Sequence, residues 1–397
     1  MKKKTADKRS YDGINNKTSS YSKTSSYKMA GVDVDIESMG AKILYNAAKE
    51  TWKNRSGMIG SIISPFDDFS GIRAIDISML PKGSMLCMGF DGVGTKAEIA
   101  QRMDRHDTIA FDLLAMVCDD AVLRGGEPVL AGSILDVNTL GTDESRLSAI
   151  KQLAEGYVKA AKEAGVAIIN GELAQLGDAV GGHGKGLAYN WGAGLIWLAR
   201  KDRLFTGKEI KKGDSIVMLK EEGFRSNGLS LVRRVFEENL GPEWHIHEFN
   251  GKLLGELVLT PSRIYSRAVV SMHGGFETEG SCILHGVAHI TGGGIAEKLG
   301  RVLKPCRLGA ELTDLFPPCD AMRYCQELRG IADKEAYRTW NMGQGMALIT
   351  PEPEKVIAEA KKHGIEAKAV GRIVKGKRLT LVSQGAFSKG EEIGFDI

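Results

Sequence analysis

The six cysteines, at positions 87, 118, 282, 306, 319 and 325, form no CxxC pair. This spacing argues against a structural zinc site. Cys87 and Cys118 sit within apolar segments, as reduced core cysteines do. The eight histidines show no HExxH spacing, and His245 and His247, two apart, read as loop or surface residues. No apolar run is long enough to span a membrane. The start, Met1-Lys2-Lys3-Lys4, is basic but has no hydrophobic stretch behind it, so no secretory signal is expected. The formal net charge is only +3, which gives no footing for a nucleic-acid partner. A short-period repeat is also missing. These absences leave a cytoplasmic protein in a reducing compartment, with no membrane and no nucleic-acid partner.

What remains is an ordinary globular composition, 43% hydrophobic and 26% charged over 397 residues, long enough for two domains. Residues 1–26 are rich in Lys, Ser, Thr and Asn and too poor in apolar side chains to offset their ordering entropy, so a tail is expected. The first domain is expected over 27–204 and the second over 205–385, with a C-terminal tail at 386–397. Strands and helices alternate irregularly in both halves, which argues for an α/β or α+β fold. Helices are expected over Asp107–Arg124, Asp143–Glu163, Asn227–Asn239, from Thr260-Pro261 onward, Ile295–Leu303 and Glu354–His363. Strands are expected over Met85–Phe90, Val129–Leu135, Val166–Ile169, Leu187–Ala199, Ser215–Leu219, Ile283–Ile290, Met346–Ile349 and Ala367–Val374.

The most telling segment is Asp91-Gly92-Val93-Gly94-Thr95-Lys96, directly after an apolar run that reads as a buried strand. An acid at a strand end can hold Mg²⁺. Glycines let the backbone turn and approach a phosphate, and a hydroxyl and a lysine suit phosphate oxygens. Asp112 and Asp119 lie seven residues apart, so they share one face of the Asp107–Arg124 helix, with Asp120 about a quarter-turn away. They read either as Mg²⁺ ligands or as a solvated face. Glu172, following the Val166–Ile169 strand, reads as a further ligand or as a solvated strand end. Thr291-Gly292-Gly293-Gly294, between a strand and a helix, makes an anion site or a tight turn. It lacks both the Walker ending and the dinucleotide glycine spacing. Arg338, Asn341 and Gly343 to Gly345 form another polar, glycine-rich segment, and Ser226-Asn227-Gly228 is similar.

In this order the motifs resemble the aminoimidazole ribonucleotide synthetase family, the phosphoribosylformylglycinamidine cyclo-ligases. The matching stretches are Ser26 to Asp35, Asp91 to Lys96, His106 to Met116, Gly126-Glu127-Pro128, Arg225 to Arg233, Leu259 to Tyr265, Ala288 to Gly294 and Tyr337 to Gly343. The resemblance implies a two-domain ATP-binding fold in which first-half strands of two chains join a barrel in a homodimer. It implies closure of the imidazole ring of formylglycinamidine ribonucleotide, with ATP phosphorylating the formyl oxygen and ADP and phosphate released. It places Asp91, Lys96, His106 and Asp112 at the catalytic centre, and Asp91, Asp119, Asp120 and Glu172 on Mg²⁺. Lys28, Gly92, Gly94, Thr95, Asn227, Thr291 to Gly294 and Arg338 would contact ATP or substrate. Three places depart from the pattern. Asp119 replaces an asparagine, and Arg225 replaces a histidine. Asn170-Gly171-Glu172-Leu173-Ala174-Gln175 replaces Gly-Gly-Glu-Thr-Ala-Glu. The rival readings are another ATP-using member of the superfamily, such as a thiamine-monophosphate kinase, and a nucleotide sensor without turnover.

Overall fold

The structure is a computed structural model that describes residues 33–63, 73–142, 144–184 and 186–397. The expected N-terminal tail, most of the Ser26–Asp35 motif, Lys28 and Asp143 fall outside the described residues. Helix α1 (Val34–Thr51) opens the described chain, capped by Asp33, whose Oδ1 accepts from the amide of Asp35 at 3.0 Å. A short hairpin follows, β1 (Ile62–Ile63) with β2 (Ala74–Ile75). Next come β3 (Ser84–Gly92), α2 (Lys96–Met103), α3 (Ile109–Ala121) and β4 (Gly126–Val137). The half closes with α4 (Leu147–Ala164), β5 (Ala167–Gln175) and β6 (Tyr189–Arg200).

The four long strands form one sheet in the order β3-β6-β4-β5, with β4 and β5 parallel and the other pairs antiparallel. α3 and α4 cover one face. On α4 the residues Leu147, Ile150, Leu153, Tyr157 and Ala161 are all buried, as their helical spacing predicts. Among the described residues the opposite face is open. β3 is an edge strand, and its Leu86, Met88 and Phe90 are exposed, Phe90 by 74%. The expectation that this run is buried is therefore wrong. Its alternate residues carry a second apolar surface, which periodicity cannot distinguish from a core strand.

The second half begins with β7 (Ser215–Lys220) and α5 (Leu229–Leu240), then β8 (Glu248–Phe249) and β9 (Lys252–Leu253). α6 (Leu254–Val258), α7 (Ser266–His273), β10 (Gly286–His289), α8 (Gly294–Leu303) and β11 (Leu308–Leu312) follow. The chain continues through α9 (Asp320–Arg329), α10 (Asp333–Thr339), β12 (Gln344–Thr350), α11 (Pro353–Lys362), β13 (Ala367–Lys375), β14 (Arg378–Val382) and β15 (Glu392–Asp396). Seven strands make a mixed sheet in the order β10-β12-β7-β13-β11-β14-β15. One buried apolar cluster includes Leu113 and Leu195 of the first half and Met218 and Ile290 of the second.

Several expectations change. Residues 386–397 are not a tail, because β15 pairs with β14 from Arg378↔Asp396 to Val382↔Glu392. Thr260-Pro261 does not start a helix. The chain stays irregular to Tyr265, and α7 takes its cap from Asp119, far away in sequence. The strand expected to end at Ile169 runs on to Gln175, so Glu172 lies within it. Among the described residues no helix is long and apolar enough to cross a membrane.

Candidate active site

Three loops meet where the two halves join. The first is the turn from β3 into α2. Gly94 has φ of +64°, a conformation that glycine adopts without strain, and its Cβ direction points at the Ser226 carbonyl 4.0 Å away. The second loop is Ser226-Asn227-Gly228, before α5. The third is Thr291–Gly294, before α8, where the Gly292 Cβ direction lies 3.6 Å from Asn227 Nδ2. Gly294 has φ of +61°, and a Cβ there would come within 2.1 Å of the Tyr337 carbonyl oxygen. That glycine is fixed by packing against α10, whereas a Cβ at Gly292 would make only ordinary contact with Asn227. Asn227 Oδ1 and Ser226 Oγ are buried without a hydrogen-bond partner. Such orphaned acceptors point to a polar ligand between the loops. Thr95 occupies the N-cap position of α2, yet its side chain makes no capping bond.

The acids divide into two groups. Asp91 and Asp120 are electrostatic neighbours, and Lys298 acts on Asp91 as well. Burial, together with the Asp120 charge, holds the Asp91 carboxyl above the usual range. Asp91 Oδ1 accepts from the Gly92 amide at 2.7 Å, and Asp120 Oδ1 from His289 Nδ1 at 2.8 Å. One oxygen of each carboxylate is thus taken and the other remains available. Two neighbouring carboxylates, each with one oxygen left uncommitted, suit a divalent cation.

Asp119, one residue earlier, does something else. It is fully buried, and Oδ1 accepts from the amides of Tyr265 and Ser266 at 2.8 Å each, while Oδ2 takes Arg225 Nη2 at 3.0 Å. Both oxygens are occupied, so Asp119 is not a metal ligand here. It caps α7 across the junction between the halves. Burial pushes its carboxyl up to about 7, with the Arg225 charge as the largest opposing effect. Arg225 also donates to Glu221 Oε2 at 2.6 Å, to the Arg263 carbonyl at 2.9 Å and to His289 Nε2 at 2.7 Å. A guanidinium has no acceptor, so His289 must carry its proton on Nδ1 and donate it to Asp120. Burial and the Arg225 charge push the His289 imidazole down to about 4, so it is neutral at neutral pH. Two of the three departures from the family pattern, Asp119 and Arg225, are therefore bonded to each other. Arg225 and His289 orient Asp120, a role sequence reasoning missed. The available signal was a histidine between apolar residues, Ala288 and Ile290, next to the glycine loop.

Lys96 and Asp112 are corrected too. Both are fully buried, and Lys96 Nζ lies 2.7 Å from Asp112 Oδ1 and 2.5 Å from the Thr260 carbonyl. Asp112 also accepts from Ser262. The ammonium expected on phosphate is spent tying α2 and α3 to the 260–262 segment. His106 is buried, with Nδ1 3.0 Å from the Tyr189 hydroxyl. It precedes α3 at the end opposite Asp120, roughly 20 Å away along the helix. It is a core residue rather than a catalytic one.

Glu172 is exposed on β5, and sheet register pairs it with Ile134 and then Gly192, whereas Asp91 pairs with Ala193. The two acids thus lie in adjacent rows that face opposite sides of the sheet, with three strand spacings, about 14 Å, between their backbones. Mg²⁺ bonds are only about 2.0–2.1 Å long, so Glu172 does not complete an ion site with Asp91 within one chain. Glu172 lines a groove of about 690 Å³ on the open sheet face, with Asp91 and Gly92 at its edge. Its changed neighbours have packing roles. Leu173 is buried, and Gln175 accepts from the Leu140 amide and donates to Glu37. Arg338 is exposed and stacks over Phe395, beside a groove that reaches Gly293.

The fold and these loops define a class, the two-domain AIR synthase related proteins. The family model "AIR synthase related protein, N-terminal domain" matches residues 73–191, and its C-terminal counterpart matches 211–384. Within that class the chain belongs to the phosphoribosylformylglycinamidine cyclo-ligase family. A protein of that name from Pyrococcus horikoshii is 33% identical over 88% of this chain and 95% of its own length. One from Thermoanaerobacter sp. is 34% identical over 88% and 98% respectively. Among solved structures, thiamine-monophosphate kinase from Stenotrophomonas maltophilia superposes with a TM-score of 0.57 at 13% identity, over 87% of this chain and 97% of its own. Hydrogenase maturation protein HypE in complex with ATP gives 0.55 at 15% identity, over 87% and 92%. At such identities these two structures establish the fold alone.

Proposed function

We propose that the protein cyclises formylglycinamidine ribonucleotide to aminoimidazole ribonucleotide, with ATP converted to ADP and phosphate. The observation that carries this reading is the convergence of three glycine-bearing loops on an acidic pair and on orphaned polar groups. A formamide oxygen is a poor leaving group. Transfer of the γ-phosphoryl group makes it a good one, and a substrate nitrogen then closes the ring. Such chemistry asks the protein for alignment and charge neutralisation rather than covalent help. Asp91 and Asp120 would hold Mg²⁺, which supplies charge neutralisation on the phosphates. The amides of Gly94 and Thr95, where the turn enters α2, would face phosphate oxygens, those of Gly92 and Val93 being taken by Asp91 and Trp191. Asn227 and the Thr291–Gly294 loop would hold substrate, and His289 keeps Asp120 aimed. Lys28 and Arg338 are proposed to border the same ligands.

The active form is proposed to be a homodimer. Among the described residues, the exposed Leu86, Met88, Phe90 and Ile134 make an apolar sheet face that water disfavours. A second copy laid against that face would close a barrel and bring Glu172 of each chain toward the partner subunit. ATP at that boundary is consistent with Glu172 acting from across it.

The test supplies purified protein with Mg²⁺, ATP and formylglycinamidine ribonucleotide, and in parallel with thiamine monophosphate. ADP and aminoimidazole ribonucleotide should appear only with the first substrate. ATP binding without substrate-dependent ADP release would instead identify a sensor.

A further inference from the structure

A second cluster lies away from this cleft, on the far side of α2. His183, in the loop between β5 and β6, meets Glu243 and His245 in the turn after α5. One candidate ligand atom from each residue lies within 4.8 Å of the others. The two imidazole rings are 5.6 Å apart between centroids at 72°, so they do not stack. His245 is only 4% exposed, and its Nδ1 is buried without a partner. Its Nε2 stands 3.5 Å from Glu243 Oε2, beyond normal hydrogen-bond length. A buried Nε2 without a good hydrogen bond gains from an ion beside it, whereas the orphaned Nδ1 is a separate group that such an ion does not reach.

We propose that His183, Glu243 and His245 form a site for a divalent transition-metal ion, Zn²⁺ in the first instance, that clasps the first half of the chain to the second. Two imidazoles and one carboxylate, with no thiolate, make a zinc-type donor set, with a fourth position left for water. Tetrahedral zinc at about 2.0–2.1 Å from each ligand puts ligand atoms roughly 3.3 Å apart. The Glu243–His245 separation already matches that. The remaining gap closes by about 1.5 Å of side-chain rotation, from Glu243, which is 63% exposed, and His183, which is half-buried. The nearest opposing charge is Arg102, which lies over the Trp244 ring. Glu98 accepts from it at 3.0 and 3.1 Å and is shared with Arg233.

The site is anchored from both sides. The His183 amide donates to Gln101 Oε1 at 3.0 Å, and Arg102 donates to the Pro242 carbonyl at 2.8 Å. Both loops are thus held against the end of α2 before any ion arrives. This preorganisation raises affinity by lowering the ordering cost. The donors are nitrogen-rich and lie apart from Asp91 and Asp120, so the site should ignore Mg²⁺ and remain whatever the fate of the catalytic reading.

The test uses the full-length, untagged, chelator-stripped chain titrated calorimetrically with zinc chloride, and separately with Co²⁺ as a spectroscopic stand-in. One ion per chain is expected, with the visible bands of four-coordinate Co²⁺ and no thiolate charge-transfer band. His183→Ala, on an accessible loop, should bind zinc about 100-fold more weakly while its circular dichroism is unchanged. Glu243→Gln, at an exposed position, should weaken binding in the same way. Wild-type affinity in both variants would overturn the proposal. So would a thiolate band reporting the six free cysteines, or no zinc binding below millimolar concentration.

Discussion

Replacing Arg225 with alanine should be the most damaging single truncation at the junction of the halves. Its guanidinium is 1% exposed and holds two fully buried carboxylates, Asp119 at 3.0 Å and Glu221 at 2.6 Å. Its backbone sits at φ of +59°, a left-handed conformation that a side-chain-bearing residue adopts only when its contacts hold it there. Removing one partner from a buried ion pair costs about 3–5 kcal/mol, because the remaining charge is stranded. Asp119 softens the loss. Its carboxyl already titrates at about 7, so it can take up a proton near neutral pH at small cost. Glu221 then remains as the stranded group, and the lower end, about 3 kcal/mol, is expected. Guanidinium unfolding followed by tryptophan fluorescence and far-UV circular dichroism measures it. A second arm tests the pairing itself. Asp119→Asn with Arg225→His restores the residue types that the family pattern shows at both positions. In a double-mutant cycle the pair should be less destabilised than the sum of the single changes, by about 1–3 kcal/mol. A cost below about 1 kcal/mol for Arg225→Ala, or additivity within about 0.5 kcal/mol in the cycle, would refute the argument.

Further outcomes follow from the same geometry. His289→Gln should lower kcat by freeing Asp120, and it should also change the acid limb of stability. The folded imidazole titrates at about 4 against about 6.5 unfolded. Its stabilising contribution is therefore complete above pH 6.5 and lost as pH falls toward 4. An unaltered acid limb in the variant would contradict this assignment. Lys96→Met strands the buried Asp112 and should cost about 3–5 kcal/mol in denaturant, whereas a pure phosphate ligand would lose activity at unchanged stability. Phe90→Asp places a charge on the open sheet face and should convert a dimer to monomers in sedimentation equilibrium. A monomeric wild type would remove the barrel proposal. Asp91→Asn should cut turnover sharply with the melting temperature retained, and full activity would exclude Asp91 from the metal.

Local pattern carried much of this protein. The 3.6-residue spacing on 147–161 is the buried stripe of α4, and the apolar run 215–219 became β7, because burial follows periodicity wherever an element has one covered face. Asp91 to Thr95 also stands where a strand gives way to a helix, since acid, glycine and hydroxyl fix a turn chemically. Other features depended on partners that lie far away in the chain. Whether Lys96 faces a phosphate or Asp112 is decided by how α2 packs on α3 and on the 260–262 segment. Asp119 and Asp120 are adjacent in sequence, yet one is sealed against Arg225 and the other opens on the cleft, because consecutive helical residues point about 100° apart. Register placed Glu172 in the row next to that of Asp91, facing the other side of the sheet, which no spacing along the chain could show. Residue order alone carried most of the elements, the motif order and the family. The tertiary structure decided which charged groups meet water or ligand and which are spent on each other, since electrostatics acts through space and low-dielectric packing rather than along the chain.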